Sequence, residues 1–216
     1  LFLEYVRIKN KLNPTYFILE NVASMSKKDK QIITEALGVE PVMFNASLVS
    51  AQSRKRYFWT NIKFELPEDK GIILKDILQP NAEVDERFLV YGKSVCLSAN
   101  GGGLGAKTGL YRIGRNIGRR LNEEGKREDE NTDLAITRRI ELRNDEKTNT
   151  ITSVQKDNLV CSETQIRKLT PIECERLQGL PDDYTKDVAI THRYRCLANA
   201  FNVDVVAHIL HFIAQR

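Results

Sequence analysis

Ala51–Ile62, AQSRKRYFWTNI, is the stretch whose reading decides the fold. Gln52, Arg54 and Arg56 alternate ahead of the apolar-aromatic run Tyr57–Trp59, so the pattern predicts a turn feeding a buried strand over Tyr57–Ile62. In an extended backbone, residues two apart share a face. The guanidinium groups of Arg54 and Arg56 are therefore expected to fork together onto a phosphate or a base edge. Standing alone, the same pattern also describes a solvated strand entrance.

Upstream, Tyr16–Val22 reads YFILENV, with Tyr16–Leu19 predicted as a strand buried on both faces and Glu20 and Asn21 at its carboxyl end. That edge is where open α/β sheets bind ligands. Phe2, Tyr5, Val6, Ile8 and Leu12 fall at helical spacing, and Asn13-Pro14 stops the helix. Ser26, with Asp29 three residues on, has the form of a capping box, opening a helix through Ile32, Ile33 and Leu37 that Gly38 closes. Val42–Phe44 supplies the next strand. The order helix, strand, helix, strand, strand is that of the second half of a doubly wound α/β sheet.

Leu66–Gly71 is a turn-rich linker, and a domain boundary is placed there. Beyond it, Ile72–Leu78 reads as a short helix stopped by Pro80, Val95–Ser98 as an apolar strand, and Asn100–Gly109 as a loop. A phosphate-binding loop is excluded there, because Ala106 separates Gly105 from Lys107. Tyr111–Leu121 carries Arg112, Arg115, Arg119 and Arg120 without an acidic residue, and reads either as a solvated loop or as a loop laid against nucleic acid. Ile136–Leu142 and Thr148–Val154 read as strands. Thr170-Pro171-Ile172-Glu173 is a strong helix start, with Gly179 as its stop, and Val203–Ile213 reads as a closing helix with Val203, Val206, Ile209, Leu210 and Ile213 inward.

With 216 residues and 41% hydrophobic content, the chain is long enough for one domain or for a core with a small second lobe. A net charge of +4 permits a nucleic-acid partner without demanding one. No stretch approaches the roughly twenty apolar residues of a membrane span, so no membrane partner is expected. The four cysteines, Cys96, Cys161, Cys174 and Cys196, lack any C-x-x-C spacing, which argues against a zinc site or a disulfide framework and makes a reducing cytoplasm the default location.

Taken in order, Glu20-Asn21-Val22, Gln52-x-Arg54-x-Arg56, Leu169-Thr170-x-x-Glu173-x-x-Arg176-Leu177-Gln178-Gly179 and the Asn199 segment LANAF resemble the C-terminal motifs of the DNA cytosine-5 methyltransferases of bacteria and phages. The resemblance spans nearly the whole chain and is weakest between about Glu83 and Asn144. It implies the C-terminal half of a doubly wound, Rossmann-like, S-adenosylmethionine-dependent core plus a mixed, strand-and-loop target-recognition lobe. Residues 1–66 would belong to the catalytic core, 67–166 to the recognition domain and 167–216 to closing helices. Two family features have no counterpart: the glycine-rich turn that holds S-adenosylmethionine, and a Pro-Cys pair carrying the nucleophile, since the four cysteines follow Val95, Val160, Glu173 and Arg195.

The expectation is therefore the C-terminal portion of such an enzyme, inactive alone, working on double-stranded DNA with the missing N-terminal half in cis or in trans. Self-association through the exposed core is a further expectation. The alternative is a non-catalytic DNA-binding or regulatory subunit of a split methyltransferase. By resemblance, Glu20 contacts N3 and the exocyclic amine of a flipped cytosine, Arg56 holds O2, and Arg54 and Gln52 support the catalytic loop or contact phosphate. Asn199 matches the residue that the family places against S-adenosylmethionine, although Ala198 stands where the family has Gly. Arg112, Arg115, Arg119 and Arg120 are the expected DNA contacts of the recognition lobe.

Overall fold

The computed structural model describes residues 1–79, 112–143, 145, 147–151, 159–161 and 166–214. The strand expected at Val95–Ser98 and the loop at Asn100–Gly109 lie outside these residues.

Helix α1 (Phe2–Leu12) ends at Asn13, in the left-handed region at φ 42°, immediately before Pro14. Strand β1 covers Ile18–Val22. It begins two residues later than the apolar run suggests, so Glu20 and Asn21 lie within the strand rather than beyond its end. Helix α2 (Lys27–Leu37) is capped by Ser26, whose Oγ accepts from the Asp29 amide at 3.0 Å, and it closes on Gly38 at φ 69°. Strand β2 (Val42–Asn45), a short 3-10 turn and strand β3 (Lys55–Thr60) complete the first sheet.

The strand order is β1-β3-β2, and both pairings with β3 are antiparallel. A doubly wound half implies neighbouring parallel strands. Instead β1 and β2 run parallel to one another with β3 inserted against both. The register sets Glu20 opposite Phe58, and Arg56 opposite both Val22 and Phe44. Opposed residues share a face, so Ile18, Glu20, Phe44, Arg56 and Phe58 all point one way.

That face is covered by α6 (Val203–Ala214), defined below with its neighbours, through Val205, Ile209, Phe212 and Ile213. The inward stripe expected for this helix is corrected: Val203 and Leu210 are exposed, and Val205 and Ile209 are the buried pair. The opposite face of the sheet carries Leu19, Tyr57 and the fully buried Trp59 against Ile33 and Leu37 of α2, with Phe2, Tyr5 and Val6 of α1 packed alongside. Trp59 Nε1 donates to Thr34 Oγ1 at 3.0 Å, which satisfies the one polar atom that its ring brings inside. Ile8 and Leu12, at the same helical spacing, are exposed.

Beyond the linker come α3 (Leu74–Ile77) and a second, wholly antiparallel sheet of order β5-β4-β6-β7, formed by β4 (Arg112–Arg120), β5 (Ile136–Leu142), β6 (Leu159–Cys161) and β7 (Ile166–Lys168). The Tyr111–Leu121 segment is thus mainly a strand, paired on both sides, rather than a loop. Thr148, expected to open a strand over Thr148–Val154, makes only an isolated bridge to Gln52, and residues 152–158 lie outside the described set.

Three helices follow: α4 (Pro171–Leu177), α5 (Ile190–Asn199) and α6. The start of α4 has a full capping box, Thr170 Oγ1 accepting from the Glu173 amide and Glu173 Oε2 from the Thr170 amide. Glu173 is completely buried, and its charge is met by a two-pronged pair with Arg167 at 2.7 Å for each contact. One apolar core joins Ala51 with Leu74 and Ile77 of α3, Val160 of β6, Leu177 of α4 and Leu197 of α5, drawing residues from all three expected segments.

Residues 190–214 together have the length and mean hydropathy of a membrane-crossing segment. The run is broken at Ala200–Asn202, and its two helices close separate cores, α5 the one around α4 and α6 the one beneath β1-β3-β2.

Gly179, just after α4, sits at φ 72°, and a Cβ built there would lie 2.6 Å from Asp204 Oδ2. Gly38 has nearly the same φ but open space around it. Gly38→Ala is therefore expected to cost about 1 kcal/mol, the conformational penalty alone. Gly179→Ala should cost about 1 kcal/mol or more beyond that, with the excess recovered by Asp204→Ala, as read from denaturant midpoints in a double-mutant cycle.

Candidate functional site

At the end of the first sheet nearest the start of α6, Arg56 Nε lies 2.8 Å from Glu20 Oε1, with side chains 14% and 18% exposed. Both strands present these residues on the α6 face, among Phe44, Phe58 and Val205 but also beside Arg54 and Asn202, and Arg56 Nη1 donates as well to Lys55 O at 2.9 Å. Burial lowers the Arg56 pKa and the Glu20 carboxylate works against that fall. The pair lines a small cavity of about 10 Å³, room for one water, so a ring could enter only if the pair and its neighbours moved apart; its other walls include Arg54, Phe44, Phe58, Phe201, Asn202 and Val205. A carboxylate acceptor and a guanidinium donor side by side at an apolar cavity make a grip for the edge of a planar ring with both donor and acceptor atoms.

Arg54 borders the same cavity but has another task. Only 4% exposed, it donates from Nη1 to Ala198 O at 3.3 Å and from Nη2 to Ala200 O at 3.0 Å. These are carbonyls at the C-terminal end of α5, where helices leave acceptors unpaired. Burial foremost, then the charge of Arg56, pushes the Arg54 pKa down to about 10, while Glu20 raises it; the group remains cationic at neutral pH. Of the two arginines expected to fork together onto one ligand, Arg54 thus spends its donors on backbone carbonyls and Arg56 faces Glu20.

Gln52, expected to support the catalytic loop or contact phosphate, is fully buried; neither side-chain amide atom has a hydrogen-bond partner, and its backbone bridges Thr148. The bridge belongs to a seam in which the Ser53 amide donates to Thr148 O at 2.9 Å, the Thr148 amide to Ala51 O at 2.8 Å, and Thr150 Oγ1 to Ser53 O at 3.0 Å. Lys147 closes it, its ammonium donating to Ser47 O at 3.0 Å and Ile72 O at 2.5 Å. Lys147 had no sequence signal, because a lysine clasping carbonyls looks like any other surface lysine.

Arg112, Arg115, Arg119 and Arg120 all lie on β4. Arg119 is held by Glu141 at 3.0 and 2.8 Å and by Asp129 at 3.1 Å, and its pKa is raised, chiefly by the hydrogen bonding to Glu141. Arg120 donates to Leu134 O and Asp129 O. These two arginines fasten the 121–134 segment to the sheet, so a DNA contact by either would compete with an internal partner.

Asn199 is exposed on the last turn of α5. A single exposed amide does not distinguish the adenine, ribose and amino-acid parts of S-adenosylmethionine, so the described residues do not by themselves make a site for it. The residue that sequence reading missed is Asn202: buried, it donates from Nδ2 to Leu177 O at 2.9 Å and accepts the Val205 amide at 3.1 Å, capping α6. Of the thiols, Cys161 and Cys174 are buried and their pKa values are raised, that of Cys161 to about 11, whereas Cys196 is exposed.

A family profile described as C-5 cytosine-specific DNA methylase matches residues 1–215, and the chain belongs to that family. The type II methyltransferase M.Sau3AI of Staphylococcus aureus is 49% identical over 43 residues, covering 20% of this chain and 10% of its own length. The type II methyltransferase M.Bsp6I of Bacillus sp. (strain RFL6) is 26% identical over 232 residues, covering 97% of this chain and 68% of that protein. The methyltransferase EhMeth of Entamoeba histolytica superposes with a TM-score of 0.58 at 15% identity, over 94% of this chain and 63% of that one. The chain thus spans about two thirds of the length of M.Bsp6I and EhMeth.

Two outcomes follow from this geometry. Arg54→Ala, which strips two carbonyls of a charged donor, should lower the unfolding free energy by about 3 kcal/mol, and Arg56→Ala, which leaves the mostly buried Glu20 carboxylate without its partner, by about 2 kcal/mol, both read from chemical denaturation. In a Cys96→Ser background, a disulfide reagent at pH 8 should titrate one thiol, Cys196, in the native protein and three after unfolding.

Proposed function

We propose that this chain is the target-base and DNA-recognition part of a DNA cytosine-5 methyltransferase, an enzyme that methylates C5 of a cytosine turned out of the double helix. The observation that carries this reading is the Glu20–Arg56 pair, 2.8 Å apart at an apolar cavity. C5 of cytosine cannot be attacked within a stacked duplex, so the base must enter a pocket that knows it by its edge. Glu20 accepts from the exocyclic amine and shares a proton with N3, which draws electron density from the ring and favours attack by a thiolate at C6. Arg56 donates to O2. To grip the base, the two side chains exchange their mutual contact for contacts to it.

The nucleophile and most of the cofactor site belong, on this reading, to a Pro-Cys segment with a glycine-rich turn, supplied in cis or in trans. S-adenosylmethionine bound there supplies the methyl group. The antiparallel sheet β5-β4-β6-β7 carries the recognition surface, its contacts with phosphate setting register and its side chains reading bases. The seam at Lys147–Thr150 ties that sheet to the turn bearing Arg54 and Arg56.

Transfer of labelled methyl groups to duplex DNA tests this. The chain alone should incorporate none, and the chain together with a segment carrying the two motifs should incorporate label. Glu20→Gln and Arg56→Ala should each lower the rate about 10²-fold or more, while stability falls by about 2 kcal/mol, leaving the variants folded. Undiminished incorporation by both variants would sink the assignment, and incorporation by the chain alone would remove the need for a second segment.

A further inference from the structure

Lys147, its side chain 15% exposed, spends its ammonium on backbone. Nζ donates to Ser47 O at 3.0 Å, Ser50 O at 3.4 Å and Ile72 O at 2.5 Å, while the half-exposed Asp69 carboxylate stands 3.7 Å away, outside hydrogen-bond range. An ammonium has three N–H donors, and here three carbonyls take them. Ser47 and Ser50 belong to the turn that follows β2, and Ile72 lies just past the linker by which the chain leaves the first sheet. The linker meets the same turn once more, the Lys70 amide donating to Leu48 O at 2.9 Å.

Lys147 itself lies between β5, which ends at Leu142, and β6, which begins at Leu159. Its stretch is braced from within: Arg143 Nη1 donates to Asn149 Oδ1 at 2.7 Å, and the same guanidinium pairs with Asp145. One charge thus gathers the turn leading to Arg54 and Arg56, the way out of the first sheet, and an extension of the second. The second sheet does not need this junction to pair its strands, since among the described residues its ladders include none of 143–150. What the junction constrains is where that sheet lies relative to the strand bearing Arg56. We infer that Lys147 is a positioning residue for the reaction, its ammonium holding the recognition sheet in place against the Glu20–Arg56 strands so that one duplex can meet both. This rests on the function proposed above. A displaced sheet loses its hold on DNA before the reaction and during it alike, so the loss falls on KM and spares kcat.

The test is methyl transfer to duplex DNA by the chain together with a segment carrying the Pro-Cys and glycine-rich motifs. Lys147→Ala should raise the KM for DNA about tenfold, the worth of one charged donor, with kcat unchanged. It also leaves three carbonyls around the space of the lost side chain. Ethylammonium chloride refills that space with N–H donors and should bring KM back toward the parent value. Tetramethylammonium chloride at the same ionic strength has no N–H and should not. Lys147→Met, which fills the space without a donor and carries the test if Lys147→Ala fails to fold, should show the raised KM and respond to neither salt. A fall in kcat at unchanged KM, equal recovery in both salts, or a parent-like KM in Lys147→Met would overturn the positioning role. A parent mixture that transfers no methyl group overturns the proposed function instead, and the junction is then read in the chain alone. There Lys147→Met should quicken amide exchange at Ser53 and Thr148 about tenfold and leave that of α2 unchanged. Exchange as slow as in the parent would overturn the junction itself.

Discussion

The buried guanidinium of Arg54 is the constraint on which the site depends. It leaves the turn before β3 and reaches the carbonyls of Ala198 and Ala200, so the start of a core strand and the end of α5 are fixed to one another. Its own amide is held by Asn45 Oδ1 at 2.9 Å, which joins the end of β2 to the same point. Two residues further along β3, Arg56 reaches Glu20, and one residue beyond the second carbonyl stands Phe201. A desolvated cation is costly unless its donors are used, and here two are spent on acceptors that a helix end leaves free. The arrangement serves both partners, which is why a charge is tolerated at that depth.

A second fixed point lies in α4. Its last residues hold the junction between α5 and α6 from beneath: Gln178 Nε2 donates to Leu197 O at 2.6 Å, and Leu177 O accepts from Asn202. Glu173 and Glu175, both fully buried, are met by Arg167 and Arg193. Breaking either pair would strand a charge inside, a far larger penalty than the pair is worth as a pair. Most polar residues of the run LTPIECERLQG thus have inward partners.

How much of this was legible in the sequence depended on whether the signal was local. The boundaries of α1, α2 and β5 and the capping box at Thr170 follow from neighbours a few residues apart, and they were read correctly. The Glu20–Arg56 pair was singled out only through a family resemblance, since nothing local places a carboxylate near an arginine 36 positions away (56 − 20). Arg54 and Gln52 looked like their neighbour Arg56, because alternation tells which residues share a face and not how deep each lies. The stripe of α6 was misread because Val203, Val205 and Val206 are equally apolar, and only the packing against Phe44 and Phe58 chooses among them. Helix α5, lacking a side-chain cap at its start and rich in arginine, gave no terminal signal at all.

The topology of the first sheet also governs the order in which it can form. Strands β1 and β2 run parallel and never touch, and each is hydrogen-bonded only to β3, which comes last of the three along the chain. Among the described residues, the strand to which both pair is complete only once residue 60 has emerged, and the covering helix α6 follows only after residue 203. Such late, long-range closure is slow. For that interval the apolar face with Phe44 and Phe58 stays open, and the cavity bearing Glu20 and Arg56 acquires its last wall only once residues 201–205 have emerged.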